Sequence, residues 1–101
     1  MNRFLLLALT AGLLLLSSTA GFANEDFDQL IENGWEQWDQ ENYKEAVELC
    51  SKAIDIEPNY YEGYYCRGEA LSEIGNIENA YKDLIKASEL LEDRAESLLR
   101  D

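Results

Sequence analysis

Apolar residues recur three and four positions apart in the first of two similar stretches of this chain. They begin as Phe27, Leu30, Ile31, Trp35 and Trp38, ahead of the polar break Asp39-Gln40-Glu41. They resume as Ala46, Leu49, Cys50, Ala53, Ile54 and Ile56. Such spacing places apolar side chains on one face of a helix, so it predicts two helices with buried stripes, joined by a turn. Pro58, the only proline, is expected to end the second helix.

The second stretch repeats this scheme. Its apolar positions are Tyr64, Leu71 and Ile74, and then Ile77, Ala80, Tyr81, Leu84, Ala87 and Leu90. Gly75 stands between these two groups, where a helix is expected to stop. Asparagines stand where helices should begin, and the pairs Asn42 with Glu45 and Asn59 with Glu62 resemble capping boxes. Asn76 is the expected cap of the last helix.

Residues 27–60 align with residues 61–94 at an offset of 34. The identical pairs are Gly34 and Gly68, Asn42 and Asn76, Ala46 and Ala80, Lys52 and Lys86, and Ala53 and Ala87. Three of the five pairs are small residues, which allow two helices to approach closely. The sequence therefore predicts an all-α fold made of two similar helical hairpins.

These features resemble a pair of tetratricopeptide repeats, whose units are hairpins of 34 residues. The family pattern Trp-x2-Leu-Gly-x2-Tyr, Ala-x3-Phe, Pro falls in the first copy on Leu30, Asn33, Gly34, Gln37, Ala46, Cys50 and Pro58. In the second copy it falls on Tyr64, Arg67, Gly68, Leu71, Ala80, Leu84 and Glu92. Asn33, Gln37 and Arg67 depart from the apolar type, and Glu92 replaces the proline. The resemblance implies two stacked hairpins forming an α-α superhelix.

The C-terminal segment, residues 91–101, has two interpretations. Because Glu92 is not proline, the apolar stripe continues through Leu91, Ala95 and Leu98, with Leu99 beside it. One continuous helix, or a capping helix folded back after a kink near Glu92, would both use this stripe. Repeat arrays need a polar end cap, which favours a capping role for this segment. The alternative is that the segment self-associates through its leucines.

Residues 1–23 have the features of a secretory signal peptide. Arg3 precedes an uncharged apolar run over residues 4–16, and small residues precede a cleavage site after Ala23. The alternative is a retained membrane anchor, because no charge occurs between residues 4 and 23. The protein is expected to be exported, and to be periplasmic or secreted. A disulfide between Cys50 and Cys66 would be permitted there, but the sequence does not decide whether it forms.

The charge balance argues against nucleic acid as a partner. The 101 residues include 21 acidic and 8 basic ones, for a net charge of −13. Cleavage after Ala23 would remove Arg3 and no acidic residue, which leaves −14. Such a surface repels phosphates. The chain also has no histidine and no Gly-rich phosphate loop, so an enzyme, a metal site and a cofactor are not expected.

The resemblance implies a concave face lined by the first helix of each hairpin. The matching residues, which we predict to bind a partner, are Asp28, Ile31, Trp35, Trp38, Asp39, Glu62, Tyr65, Glu69, Ser72 and Glu73. Family members that hold a C-terminal carboxylate use Lys, Arg and Asn on this face, whereas the matching places here are Ile31, Trp35, Glu62, Cys66 and Glu69. A carboxylate clamp is therefore not expected.

This acidic and aromatic face predicts a basic or amphipathic protein or peptide as the partner. One tryptophan could instead pack inward, in place of the apolar contacts missing at Asn33 and Gln37. The predicted function is an exported, non-catalytic protein interaction module. The alternative is a structural subunit that self-associates through its C-terminal helix, and a membrane contact is expected only if the N-terminal segment is retained.

Overall fold

The computed structural model describes residues 26–100, which form four α-helices. These are α1 (Phe27–Asp39), α2 (Tyr43–Ile56), α3 (Tyr61–Ile74) and α4 (Ile77–Arg100). No strand occurs between residues 26 and 100, so the all-α prediction is confirmed. The predicted signal peptide lies outside the described residues. None of the four helices is long and apolar enough to cross a membrane.

Each helix packs against the next one along the chain. α1 packs on α2, α2 on α3 and α3 on α4, and α1 also touches α3. The result is two stacked hairpins, in which the first helices of the hairpins, α1 and α3, are neighbours. This arrangement is consistent with helical repeats of the tetratricopeptide type.

The turns within the two hairpins have the same backbone hydrogen bond. The Asn42 N–H donates to the carbonyl of Gln37 at 2.8 Å, and the N–H of its counterpart Asn76 donates to the carbonyl of Leu71 at 2.9 Å. The preceding residue is left-handed in both turns, with φ 64° at Glu41 and φ 94° at Gly75. Glycine adopts this conformation freely, whereas it costs another residue about 1 kcal/mol. Gly75 therefore ends α3 as expected.

Asn42 is the N-cap residue of α2 as predicted, but neither Asn42 nor Asn59 forms the predicted side-chain cap. Asn42 stands before α2, but its side-chain amide donates to Oε1 of Gln37 at 3.0 Å and caps no helix. α3 begins after Tyr60 rather than after Asn59, because the chain stays extended through Tyr60, whose ring packs on Phe27 with centroids 5.2 Å apart. A side-chain cap is formed instead by Asp26, whose Oδ1 accepts from the N–H of Gln29 at 2.9 Å.

Small side chains form much of the core. The alanines at the repeated positions, Ala46, Ala53, Ala80 and Ala87, are all buried. The largest side chains that are fully buried are those of Leu30, Cys50 and Cys66.

Four residues predicted to be buried are exposed: Ile56 (47%), Ile74 (42%), Ile77 (61%) and Tyr81 (66%). Ile77 and Tyr81 lie on α4, the last helix described, and no later described helix covers that side of it. Ile56 and Ile74 are the last residues of α2 and α3.

A disulfide joins the two hairpins. It links Cys50 of α2 to Cys66 of α3, whose Cα atoms are 6.0 Å apart, within the usual range for a disulfide. Closing a loop of this length, with a sequence separation of 16, stabilises a fold by about 3 kcal/mol in the chain-entropy account. The bond therefore fixes α3 on α2 covalently.

A charged pair joins α3 to α4. Arg67 donates two hydrogen bonds to the carboxylate of Asp83, at 2.8 and 2.9 Å, and a third to Ser51 Oγ of α2 at 3.3 Å. The Asp83 hydrogen bond, above all, raises the pKa of the Arg67 guanidinium. Arg67 thus departs from the apolar family type because it connects three helices through polar contacts.

The C-terminal segment continues α4 without a break. Helix α4 runs to Arg100, so the alternative of a capping helix folded back near Glu92 is wrong. Residues 91–100 are all exposed, including Leu98 (69%) and Leu99 (86%). The absence of proline at position 92 leaves nothing to interrupt the helical backbone.

We expect Gly34→Ala to destabilise the fold by about 1–3 kcal/mol. A Cβ at Gly34 would lie 2.8 Å from Sγ of Cys50 and 3.0 Å from Sγ of Cys66, and the bond between these sulfurs prevents either from moving away. In a Cys50→Ala, Cys66→Ala background the same change should stabilise, because alanine is favoured over glycine in a helix by about 1 kcal/mol. Urea unfolding of the four variants measures both effects. Equal effects of Gly34→Ala in the two backgrounds would contradict this account.

Candidate partner-binding surface

The ten predicted partner-binding residues divide equally between α1 and α3, and none of them is buried. On α1, Asp28 and Asp39 are exposed, while Ile31, Trp35 and Trp38 are half-buried. On α3, Tyr65, Ser72 and Glu73 are exposed, while Glu62 and Glu69 are half-buried. Because α1 touches α3, these residues occupy two neighbouring helices.

An aromatic cluster, which we define as Trp35, Trp38, Tyr43 and Tyr65, connects α1 to α2 and α3. The ring of Trp35 lies 5.9 Å from that of Trp38 and 5.5 Å from that of Tyr65, measured between centroids. Trp38 in turn lies 6.1 Å from Tyr43. Such tilted and edge-on contacts stabilise aromatic pairs beyond the area that they bury.

Neither tryptophan packs fully inward. Both indoles are half-buried, so each keeps part of its ring accessible. The indole N–H of Trp38 is shielded from solvent and has no acceptor among the described residues. Trp38 is therefore the more enclosed of the two at its polar end, whereas Trp35 lies between Trp38 and Tyr65.

Five carboxylates accompany the cluster on these two helices: Asp28, Asp39, Glu62, Glu69 and Glu73. None of the ion pairs formed between residues 26 and 100 involves any of the five. Burial of the phenol, followed by the nearby charges of Glu73 and Glu41, raises the pKa of Tyr43. Negative charge therefore extends to the edge of the aromatic cluster.

Glu62 is in an unusual position for a carboxylate. Its Oε1 is shielded from solvent and accepts no hydrogen bond from the described residues. A shielded polar atom without a partner destabilises a fold by about 1–3 kcal/mol. Oε1 of Glu62 is thus an acceptor that a donor from outside these helices could satisfy after a small side-chain movement.

Part of the predicted set also lines a second feature of the surface. Tyr65 and Glu69 also border a groove between α3 and α4, together with Tyr61, Leu84, Ala87, Ser88 and Leu91. Ser72 and Glu73 lie near the C-terminal end of α3. Cys66 occupies a position that contributes to the carboxylate clamp in other family members. Here it is buried in the disulfide and is absent from the surface.

Sequence reasoning missed Tyr43 and the groove between α3 and α4. Tyr43 is the first residue of α2, and its apolar type at the start of a helix was the available signal. The groove could have been found from the repeat itself, because none of the helices between residues 26 and 100 follows the second hairpin to cover it. No group of three or more potential metal-ligating residues occurs in the described part of the chain.

Comparison with known proteins gives a consistent result. Two family models, both described as Tetratricopeptide repeat, match residues 34–60 and residues 49–82. Together these matches run from the middle of α1 to the first turns of α4.

Curated relatives match about half of this chain. Small glutamine-rich tetratricopeptide repeat-containing protein beta of Homo sapiens is 41% identical over 57 residues, which are 55% of this chain and 18% of that protein. The UDP-N-acetylglucosamine–peptide N-acetylglucosaminyltransferase of Giardia intestinalis is 40% identical over 52 residues, 52% of this chain and 3% of that protein. Protein unc-45 homolog B of Xenopus laevis is 37% identical over 51 residues, 50% of this chain and 6% of that protein. The chain thus spans only a small part of each relative.

We expect Glu62→Gln to stabilise the fold by about 1 kcal/mol, because the change removes a charge whose Oε1 is shielded and unpartnered. Asp28→Asn is the matched control: Asp28 holds the equivalent position in the first hairpin, also in the first turn of its helix, but is exposed. Both variants lose the same favourable interaction between a carboxylate and the helix dipole. The difference between their unfolding temperatures therefore reports the desolvation of Glu62. Thermal unfolding measures both, and equal shifts would contradict the assignment.

Proposed function

Because this chain belongs to the tetratricopeptide repeat family, we propose that it binds a partner protein or peptide on the surface shared by α1 and α3. Tetratricopeptide repeats are protein interaction modules. The observation that carries the proposal is the contact of Trp35 with both Trp38 and Tyr65, which places accessible aromatic rings from two helices side by side. Tryptophan and tyrosine are frequent anchors of protein interfaces.

The chemistry of this surface favours a basic or amphipathic partner. Its five carboxylates are free of ion pairs within residues 26–100, and the predicted set contains no basic residue. Lysine or arginine side chains of a partner would neutralise these carboxylates, and could donate to the shielded Oε1 of Glu62. Apolar partner groups would cover the exposed parts of the indoles.

We propose that the role is non-catalytic. Tetratricopeptide repeats are generally scaffolds, and the chain has no histidine to act as a base or metal ligand. One relative is named as a transferase, but the match covers 3% of that protein. An open surface formed by two helices also lacks the enclosed pocket that shifts the pKa values of catalytic carboxylates.

We further propose that the protein is exported, on the pattern of residues 1–23. The Cys50–Cys66 disulfide supports this proposal, because disulfides persist in secreted and periplasmic proteins and are rare in the cytosol.

Export has a direct test by mass. Protein recovered from the extracellular or periplasmic fraction of a producing cell should have the mass of a chain that begins at Asn24. Thiol alkylation without reductant should leave this mass unchanged, because both cysteines are bonded, whereas alkylation after reduction should add two groups. An intact N-terminus in a membrane fraction would support the anchor instead, and two thiols alkylated without reductant would contradict the disulfide.

Binding can be tested with a labelled peptide of lysine and leucine at helical spacing, long enough for about five turns. We expect it to bind, and its affinity to fall with added salt, because the attraction is partly between charges. Trp35→Ala should weaken binding by at least about tenfold, while circular dichroism shows unchanged helical content. Fluorescence anisotropy of the labelled peptide measures the affinity.

Two controls give this experiment its specificity. Tyr81→Ala removes an exposed aromatic ring on α4, away from the surface of α1 and α3, and should leave the affinity unchanged. The same peptide with glutamate in place of lysine should not bind. Equal binding of the two peptides, or unchanged binding by Trp35→Ala, would overturn the proposed surface.

A further inference from the structure

The groove between α3 and α4 is open and apolar, with a volume of about 470 Å³. We call it the terminal groove. It is lined by six residues with apolar or small side chains, Tyr61, Tyr65, Leu84, Ala87, Ser88 and Leu91, and by one carboxylate, that of Glu69. Tyr65, Ser88 and Leu91 are exposed, and Leu84 is half-buried.

The repeat shows what kind of group fits this groove. The residues 34 positions earlier, Phe27, Ile31, Cys50, Ala53, Ile54 and Glu57, lie between α1 and α2. There α3 fills the groove: Cys66 is bonded to Cys50, and Gly63 packs so closely on Ile54 that a Cβ would lie 2.7 Å from Cγ1 of Ile54. The same groove in the second hairpin is thus shaped for a helix.

The direction of that helix also follows from the first hairpin. As the contact on α2 advances from Cys50 to Ile54, the contact on α3 moves back from Cys66 to Gly63. α3 therefore runs antiparallel to α2, and the occupant of the terminal groove would run antiparallel to α4.

α1 of a second copy does not fit this place. α3 inserts the small, buried residues Gly63, Cys66 and Ala70. The equivalent residues of α1 are Gln29, Glu32 and Glu36, all exposed. Inserting them would bury two carboxylates in an apolar groove, which is strongly unfavourable without partners. Copies of this chain therefore cannot stack end to end as further repeats.

We propose that the occupant is α4 of a second copy, in a two-fold dimer whose α4 helices pair antiparallel. A two-fold axis between the helices makes the contact self-complementary, so that each copy fills the groove of the other. The apolar stripe of α4 continues beyond its own hairpin as Leu91, Ala95 and Leu98, which gives the helix an exposed apolar face along its C-terminal half.

Side-chain sizes on α4 match in this arrangement. Positions Tyr81, Leu84, Ser88, Leu91, Ala95 and Leu98 alternate in steps of three and four, as in a coiled coil. With the axis between Glu89 and Leu90, Leu84 meets Ala95 of the second copy, and Leu91 meets its Ser88. Leu98 then lies over the ring of Tyr81. Each leucine faces a small residue or an aromatic ring, so the two helices can approach closely.

This contact goes beyond the proposed peptide-binding surface. It uses α4, whereas the peptide surface uses α1 and α3, and only Tyr65 and Glu69 border both. A variant that breaks the dimer can therefore still bind the labelled peptide, and Trp35→Ala can still form the dimer. Failure of one proposal is distinguishable from failure of the other.

Sedimentation equilibrium of the purified chain tests the dimer. We expect the mass to rise to twice that of one chain as the concentration increases from about 1 to about 500 μM. Leu98→Asp should weaken dimerisation by at least about tenfold without loss of helical content, because Leu98 is 69% exposed in one copy. Ile56→Asp, an exposed isoleucine of α2, is the matched control and should dimerise normally.

A charge pair placed across the contact tests the antiparallel register. Leu98→Lys should weaken the dimer, and adding Tyr81→Glu should restore it, because residues 81 and 98 face each other only between copies. A wild-type chain that stays monomeric at all these concentrations would overturn the proposal. A dimer unaffected by Leu98→Asp, or a Leu98→Lys variant that Tyr81→Glu does not rescue, would also overturn it.

Discussion

The absence of side chains at three glycines is the constraint on which this structure depends. A Cβ would lie 2.8 Å from Cys50 Sγ at Gly34, 2.7 Å from Ile54 at Gly63 and 2.9 Å from Leu84 at Gly68. These contacts lie between α1 and α2, α2 and α3, and α3 and α4, so every consecutive helix pair has one. Close approach at these points brings α1 and α3 together, and the candidate partner-binding surface follows from it.

Polar and covalent links reinforce this close packing at different places. The disulfide fixes α3 on α2 next to Gly34, and the Arg67–Asp83 pair joins α3 to α4. Both links are on the inner side of α3, whereas Tyr65 and Glu69 remain accessible to a partner or to the terminal groove. α3 therefore contributes to both proposed contacts while it is held by both neighbouring helices.

Most of the fold could be predicted from the sequence, because the repeat period and the small residues reflect helix geometry, which is local and regular. The 34-residue offset, the buried alanines and the turn at Gly75 are of this kind. The cap at Asn42 was not predictable, since its side chain had an alternative partner in Gln37. The sequence did not decide whether Cys50 and Cys66 form a disulfide, because that depends on how the hairpins stack. The burial expected for Tyr81 failed because periodicity cannot show whether a later helix covers a face.

The polar residues Gln29, Glu32 and Glu36 on the outer side of α1 also bear on how such a chain could lengthen during evolution. Duplicated hairpins inserted after the second repeat would find an apolar groove ready to receive them. Hairpins added before α1 would pack against its carboxylates, and several substitutions would be needed before they could pack stably. This architecture therefore has a growing end and a closed end, and gene duplication would extend it in one direction only.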